Sequence, residues 1–363
     1  MPAATNWSTF RTSLLNWYDP AERPMPWKDI RDPYRIWLSE IILQQTRVAQ
    51  GLPYYERFVA AYPTVGDLAA APDDEVMKLW EGLGYYSRAR NLLKAARRVS
   101  EVHGGEFPAT YAGLLELPGV GPYTAAAVAS FAFGARVPVV DGNVYRVLAR
   151  YADDATPIDA SAARRHYTAL ATSALGDADA RRFNQAIMDF GATVCTPKAA
   201  ACPTCPLREG CRAYRNGTVY ERPVKGKKAA RRTRYFHYLV LSDERDRTVV
   251  EQRTEKDIWR DLYQFPLLET TTDTVPSVEL PQRPGWPAWL PAHEVSPERR
   301  SPPHQQQLTH QRIVVVFHHF RWRTMPEQLD AALIVENKML EKYAFPRVIA
   351  RYLGEKSLLL DLF

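Results

Sequence analysis

Four clustered cysteines, a glutamate among apolar neighbours and an aspartate at a helix start are the residues of this chain best suited to chemistry. The cysteines fall within 17 residues as Cys195, Cys202, Cys205 and Cys211, a spacing of C-x6-C-x2-C-x5-C. The N-terminal stretch lacks a basic segment followed by an apolar core, so the chain is expected to stay in the cytosol, where clustered thiols hold metal rather than disulfides. Two metals compete. Zinc favours paired C-x2-C knuckles, of which only Cys202 and Cys205 form one; the uneven spacing suits a cubane [4Fe–4S] cluster on four thiolates. Lys198, Arg208 and Arg212 give this loop a basic face that could touch phosphates. Glu40 lies mid-helix in WLSEIILQQ, beside Ile36, Ile41 and Leu43 and one turn before Gln44. Burial there would raise its pKa into the range of a proton donor near neutrality. Asp141, in VPVVDGNVYRVLARY, follows a short apolar run and precedes a helix. It suits an N-cap, and beside the helix N–H dipoles it is expected to stay ionised. Between two helical stretches, Gly119, Val120 and Gly121 permit a tight turn whose following N–H groups can hold a phosphate; a plain interhelical turn is the alternative.

Placing these residues takes a large helical core. The 363 residues suit about two domains. With 46% hydrophobic and 24% charged residues, the composition excludes wholesale disorder. A mean hydropathy of −0.36, and no apolar run near the roughly 20 residues of a bilayer span, exclude a membrane-embedded protein. YRIWLSEIILQQTRVAQG, DDEVMKLWEGL, SRARNLLKAARRVSEVHG, TAAAVASFAFG and ARRFNQAIMDFGATVC carry apolar residues at helical spacing. Downstream, YFHYLVLS, TVVEQR and RIVVVFHHFRW read as strands and RVIARYL as a helix. Residues 276–303 hold eight of the 28 prolines and are expected to be irregular. The formal charge is +6. Residues 221–234 alone hold seven basic residues against one acidic, so the rest of the chain is neutral and this block reads as an exposed charged strap.

LPGVG, then VDGNVYRV, then the four-cysteine loop, all in a helical setting over about residues 7–215, resemble the helix-hairpin-helix DNA glycosylases of the endonuclease III superfamily. RPMPWKDIRDPYRIWLSEIILQQTRV and GLGYYSRARNL look like its adenine DNA glycosylase branch, the MutY family. The resemblance implies a multi-domain architecture: an all-α helix-hairpin-helix catalytic domain with a [4Fe–4S] loop over 1–217, a basic connector over 218–234 and an α+β Nudix-like domain over 235–363. It assigns Glu40 to protonating N7 of adenine and Asp141 to stabilising the sugar cation, covalently or electrostatically, with Tyr123 and Asn143 organising the same site. Arg23, Trp27 and Gln185 would line the adenine pocket, Gln185 standing where relatives vary between Gln and Glu. The base must leave the duplex; Leu43 and Gln45 would fill its gap, and Tyr85 would wedge beside the opposite base. Bifunctional lyases of the superfamily carry a lysine two residues after the last hairpin glycine. Here that residue is Tyr123, which implies a monofunctional enzyme.

The last 129 residues resemble the family's Nudix-like recognition domain, best at DIWRDLYQFPLLE, and lack a catalytic Nudix box. Relatives read 8-oxoguanine with a Phe-Ser-His loop; here it is Leu308, Thr309 and His310, of which Thr309 keeps a hydroxyl for the altered N7–H edge. The implied partner is double-stranded DNA carrying 8-oxoG·A or G·A mispairs, bound by a monomer away from any membrane. Two rival readings are a bifunctional pyrimidine-lesion glycosylase/lyase, which should carry lysine at 123 and no second domain, and a DNA-binding iron–sulfur protein without catalysis.

Overall fold

The computed structural model describes residues 5–226 and 231–360, the last six as backbone only. The chain divides into two compact units: residues 1–70 with 91–227, and residues 71–90 with 228–363. In chain order the helices are α1 (Trp7–Trp17), α2 (Pro33–Leu43), α3 (Val48–Ala61), α4 (Val65–Ala70), α5 (Asp73–Leu79), α6 (Ser87–His103), α7 (Tyr111–Leu115), α8 (Pro122–Phe133), α9 (Gly142–Ala152), α10 (Ala163–Leu175), α11 (Ala180–Thr193), α12 (Arg212–Arg215) and α13 (Arg347–Leu360).

The first unit is all helical. α2 starts on an Asp32 cap with Pro33 in its first turn, and its largely apolar sequence is buried at Tyr34 and from Ile36 to Ile42, with Arg35 exposed. It packs on α8, which is buried from Thr124 to Phe131 and kept thin by its small residues, Ala125, Ala126, Ala127 and Ala129 among them. Phe10, Leu14, Val147, Leu148, Tyr167, Phe183, Ile187 and Phe190 form a common core from α1, α9, α10 and α11. α11 passes close to the start of α9: a Cβ at Gly191 would lie 2.6 Å from that of Asn143.

The second unit is α+β. β1 (Arg232–Ser242) runs parallel to β7 (Gln311–Trp322), with Phe236 opposite Val315. β4 (Leu267–Thr270) adds antiparallel to β1, while β5 (Val295–Arg300) and β6 (His304–Gln307) add antiparallel to β7. A smaller sheet has the order β3 (Tyr263–Gln264), β2 (Arg247–Gln252), β8 (Leu333–Glu336). The strands expected at 235–242, 248–253 and 312–322 are present to within a few residues. The expectation that 276–303 is irregular fails at β5, which pairs with β7 despite Pro297. β5 is an edge strand with a register shift between Pro297 and Arg299, the setting in which a missing N–H is tolerated.

Residues 71–90, sequence-wise part of the helical half, group with the second unit for a physical reason. Asp74 accepts from the Tyr263 hydroxyl at 3.4 Å, Arg90 donates to the Arg260 carbonyl at 2.7 Å, and Glu81 accepts from the Phe345 N–H at 2.8 Å.

The basic strap is only partly an exposed tether. Arg222 pairs with Asp153 at 3.0 Å, and the Gly226 N–H donates to Asp159 at 2.8 Å. Arg234 belongs to β1 and pairs with Asp257 and Glu269. Lys225, Arg231 and Arg232 are exposed; Lys227 and Lys228 lie outside the described residues.

Candidate active site

Three helices of the first unit bring Glu40, Tyr123 and Asp141 into one electrostatic neighbourhood. Glu40 sits inside α2 and is 7% exposed. The Tyr123 hydroxyl, from the first turn of α8, donates to Glu40 Oε2 at 2.7 Å. Burial pushes the Glu40 carboxyl up to about 7, the Tyr123 bond opposing this and the nearby Asp141 charge adding to it. Burial and the same two carboxyls hold Tyr123 far above the ordinary phenol range.

Asp141 is the N-cap of α9. Its Oδ1 accepts from the Val144 N–H at 2.7 Å, and its Oδ2 accepts from Asn143 Nδ2 at 2.8 Å. The cap suggests a depressed pKa, but burial lifts Asp141 above its usual range, with the Val144 and Asn143 donors and the Arg146 charge pulling it back. Asn143 Oδ1 in turn accepts from Arg146 Nη2 at 2.8 Å. Arg146 also donates to the carbonyls of Gly191 and Cys195, each at 2.7 Å. One buried guanidinium therefore spans the start of α9, the end of α11 and the first cysteine of the loop.

Arg23 and Lys28 share the buried carboxylate of Asp189, at 2.6 and 2.5 Å. Trp27 packs edge-on against Tyr55 with ring centroids 5.0 Å apart. Gln185 stands on α11 one turn before Asp189. Leu43 ends α2, and Gln45 follows it exposed and left-handed at φ 56°. In the hairpin, Gly119 has φ 74° and faces Asn91, whose Cβ would lie 2.5 Å from any Cβ placed there, so only glycine fits. Val120 is buried, and Gly121 caps α8.

The four cysteines are unbridged and line one cavity with Val147, Phe190 and Leu207. Arg150 donates to Cys195 Sγ at 3.4 Å and to the Thr196 carbonyl at 2.8 Å. Among the described residues, no three His, Cys, Asp or Glu side chains converge to hold a single metal ion.

In the second unit, Tyr85 is 47% exposed and left-handed at φ 49°. Its hydroxyl lies 2.5 Å from Thr309 Oγ1. Leu308, Thr309 and His310 form the turn between β6 and β7, held by the Leu308 N–H on the Gln311 carbonyl at 2.8 Å.

Asp189, Lys28 and Arg146 were not singled out from sequence. Asp189 left a faint trace, an acidic residue one turn after Gln185 on the buried stripe of α11.

Residues 38–169 match the family described as "HhH-GPD superfamily base excision DNA repair protein", and residues 237–355 match "NUDIX domain". A solved structure of a thermostable thymine-DNA glycosylase is 32% identical, with a TM-score of 0.54 over 58% of this chain and 97% of its own. Fold and family matches thus place the chain in the helix-hairpin-helix superfamily of base excision DNA repair proteins, with a Nudix-like second domain. The adenine DNA glycosylase of Mus musculus is 45% identical over 57% of this chain, an alignment spanning 42% of the mouse protein. That of Buchnera aphidicola subsp. Schizaphis graminum is 34% identical over 73% of this chain and 77% of its own. The chain belongs to the adenine DNA glycosylase family. Among the described residues no helix is long and apolar enough to cross a membrane.

Proposed function

We propose that the chain is a monofunctional adenine DNA glycosylase that flips out and excises adenine opposite 8-oxoguanine or guanine in duplex DNA, acting as a monomer. The observation that carries this reading is Glu40, a buried carboxyl whose pKa of about 7 lets it keep a proton at neutral pH. Such an acid can protonate N7 of adenine, making the base a neutral leaving group as the C1′–N9 bond breaks. Asp141 has more stabilising donors than Glu40 and is the better anion to face the developing sugar cation. This is the division of labour expected when two neighbouring carboxyls sit in unlike surroundings. Tyr123 offers a hydroxyl bound to Glu40, not the amine that a Schiff-base lyase needs. Arg23 and Trp27, with Gln185, supply polar and aromatic edges for a flipped adenine, while Leu43 and Gln45 replace it in the stack. The hairpin of Gly119, Val120 and Gly121 offers the N-terminus of α8 to a phosphate.

The cysteine loop suits a [4Fe–4S] cluster. The C-x6-C-x2-C-x5-C spacing, with all four thiols unbridged and lining one cavity, supports four thiolate ligands to an iron–sulfur cube over zinc, whose sites favour paired C-x2-C knuckles. Cys195, Cys202, Cys205 and Cys211 would hold the cluster, which would supply a cross-link for the loop whose carbonyls Arg146 and Arg150 bind. On the opposite-base side, the Tyr85–Thr309 contact supports a joint role in reading 8-oxoguanine, with Leu308 and His310 in the same turn.

Incubation with an 8-oxoG·A duplex tests the reading. Cleavage of the adenine strand only after alkali is expected. Nicking without alkali makes the enzyme a lyase, and intact DNA under either condition makes it a binder.

A further inference from the structure

We propose that Glu81 is a positioning residue for opposite-base discrimination, locking the loop that carries Tyr85 onto residues 343–345 of the same unit. The inference rests on the reading of Tyr85 and Thr309 given above. Loop 81–86 contains three left-handed residues, Gly82 at φ 93°, Gly84 at 75° and Tyr85 at 49°. The last is strained for a side-chain-bearing residue, and a strained loop keeps its shape only where its surroundings impose it.

Two sets of bonds impose it here. Within the loop, Trp80 Nε1 and Arg88 Nη2 both donate to the Gly84 carbonyl at 3.1 Å. The second set reads the backbone of residues 343–345. Glu81 Oε1 accepts from the Phe345 N–H at 2.8 Å, and Tyr86 donates to the Phe345 carbonyl at 3.4 Å. Lys78 Nζ bridges Glu81 Oε2 at 2.6 Å and the Tyr343 carbonyl at 3.1 Å. Phe345 is 2% exposed, so its N–H needs the carboxylate in place of water. Glu81 fixes the base of the loop and Thr309 meets its tip. A shift at the base moves the Tyr85 ring relative to the Leu308–His310 turn, leaving the Glu40 site untouched.

The test compares single-turnover adenine excision from 8-oxoG·A and G·A duplexes by the full chain and its variants. The ratio of the two rates should fall about tenfold in Glu81→Ala, the scale of one lost buried hydrogen bond. Glu81→Gln, which keeps an oxygen for the Phe345 N–H, should recover most of it and melt close to wild type, whereas Glu81→Ala leaves that buried N–H unpaired and should melt a few degrees lower. Combining Glu81→Ala with Tyr85→Phe should give less than the product of the single effects, because both act on one ring. An unchanged ratio in Glu81→Ala, a loss that Gln does not relieve, or a multiplicative double variant overturns the proposal. A wild-type enzyme with no preference between the duplexes overturns the discrimination reading itself. That result is distinct from a discriminating wild type matched by Glu81→Ala.

Discussion

The Glu40 carboxyl makes a prediction in which rate and stability must agree. Its pKa rises from 4.5 to about 7 on folding, mainly through burial. Each pKa unit corresponds to about 1.4 kcal/mol, so ionised Glu40 costs the folded state about 3 kcal/mol. The sign follows from linkage. Between pH 4.5 and about 7 the folded chain holds a proton that the unfolded chain has lost, so this site favours the fold at low pH and loses that advantage as pH rises through 7. Glu40→Gln is neutral throughout. Its stability relative to wild type should therefore increase by up to about 3 kcal/mol between pH 4.5 and pH 8, and then level off. The wild-type single-turnover rate should drop about tenfold per pH unit above 7, tracking the protonated fraction, while Glu40→Gln should be inactive at every pH. Chemical denaturation of both proteins across pH 5–8 and a pH–rate profile on an 8-oxoG·A duplex measure the two halves. A pH-independent stability difference, or a rate flat to pH 9, would refute the assignment of Glu40 as a buried acid.

Other substitutions probe the groups around it. Tyr123→Phe removes the donor that lowers the Glu40 pKa, so the basic limb of the pH–rate profile should move upward even as the rate falls; an unmoved limb would mean the bond does not reach the acid. Arg146→Lys keeps the charge but cannot span Asn143, Gly191 and Cys195 together. It should destabilise the protein by about 2 kcal/mol in denaturant titration and slow excision at least tenfold. Neutralising Lys225, Lys227, Lys228, Arg231 and Arg232 should weaken DNA binding and flatten its dependence on salt by about 0.9 in log–log slope for each residue that contacts phosphate. An unaltered slope makes the segment a plain linker.

Helix ends and turns are written locally, so the helical settings of two of these residues were legible: Asp141 stands before an amphipathic run and caps α9, and Glu40 lies inside the apolar α2. Tyr123 was reached only through the family resemblance. How these groups perturb one another was not legible, because that is set by packing between segments far apart in the chain. Arg23 and Asp189 are separated by 166 positions, and no spacing rule joins them. Asp141 shows the limit most sharply: its cap alone argues for a depressed pKa, and burial reverses the sign. Small residues make that burial possible. The alanines of α8 let α2 carry Glu40 in beside Tyr123, and Gly191 lets α11 close on Asn143, where one methyl group would collide with the residue that bonds Asp141. Positions with little side-chain chemistry of their own thus set the distances between the two carboxyls and the groups that bond them.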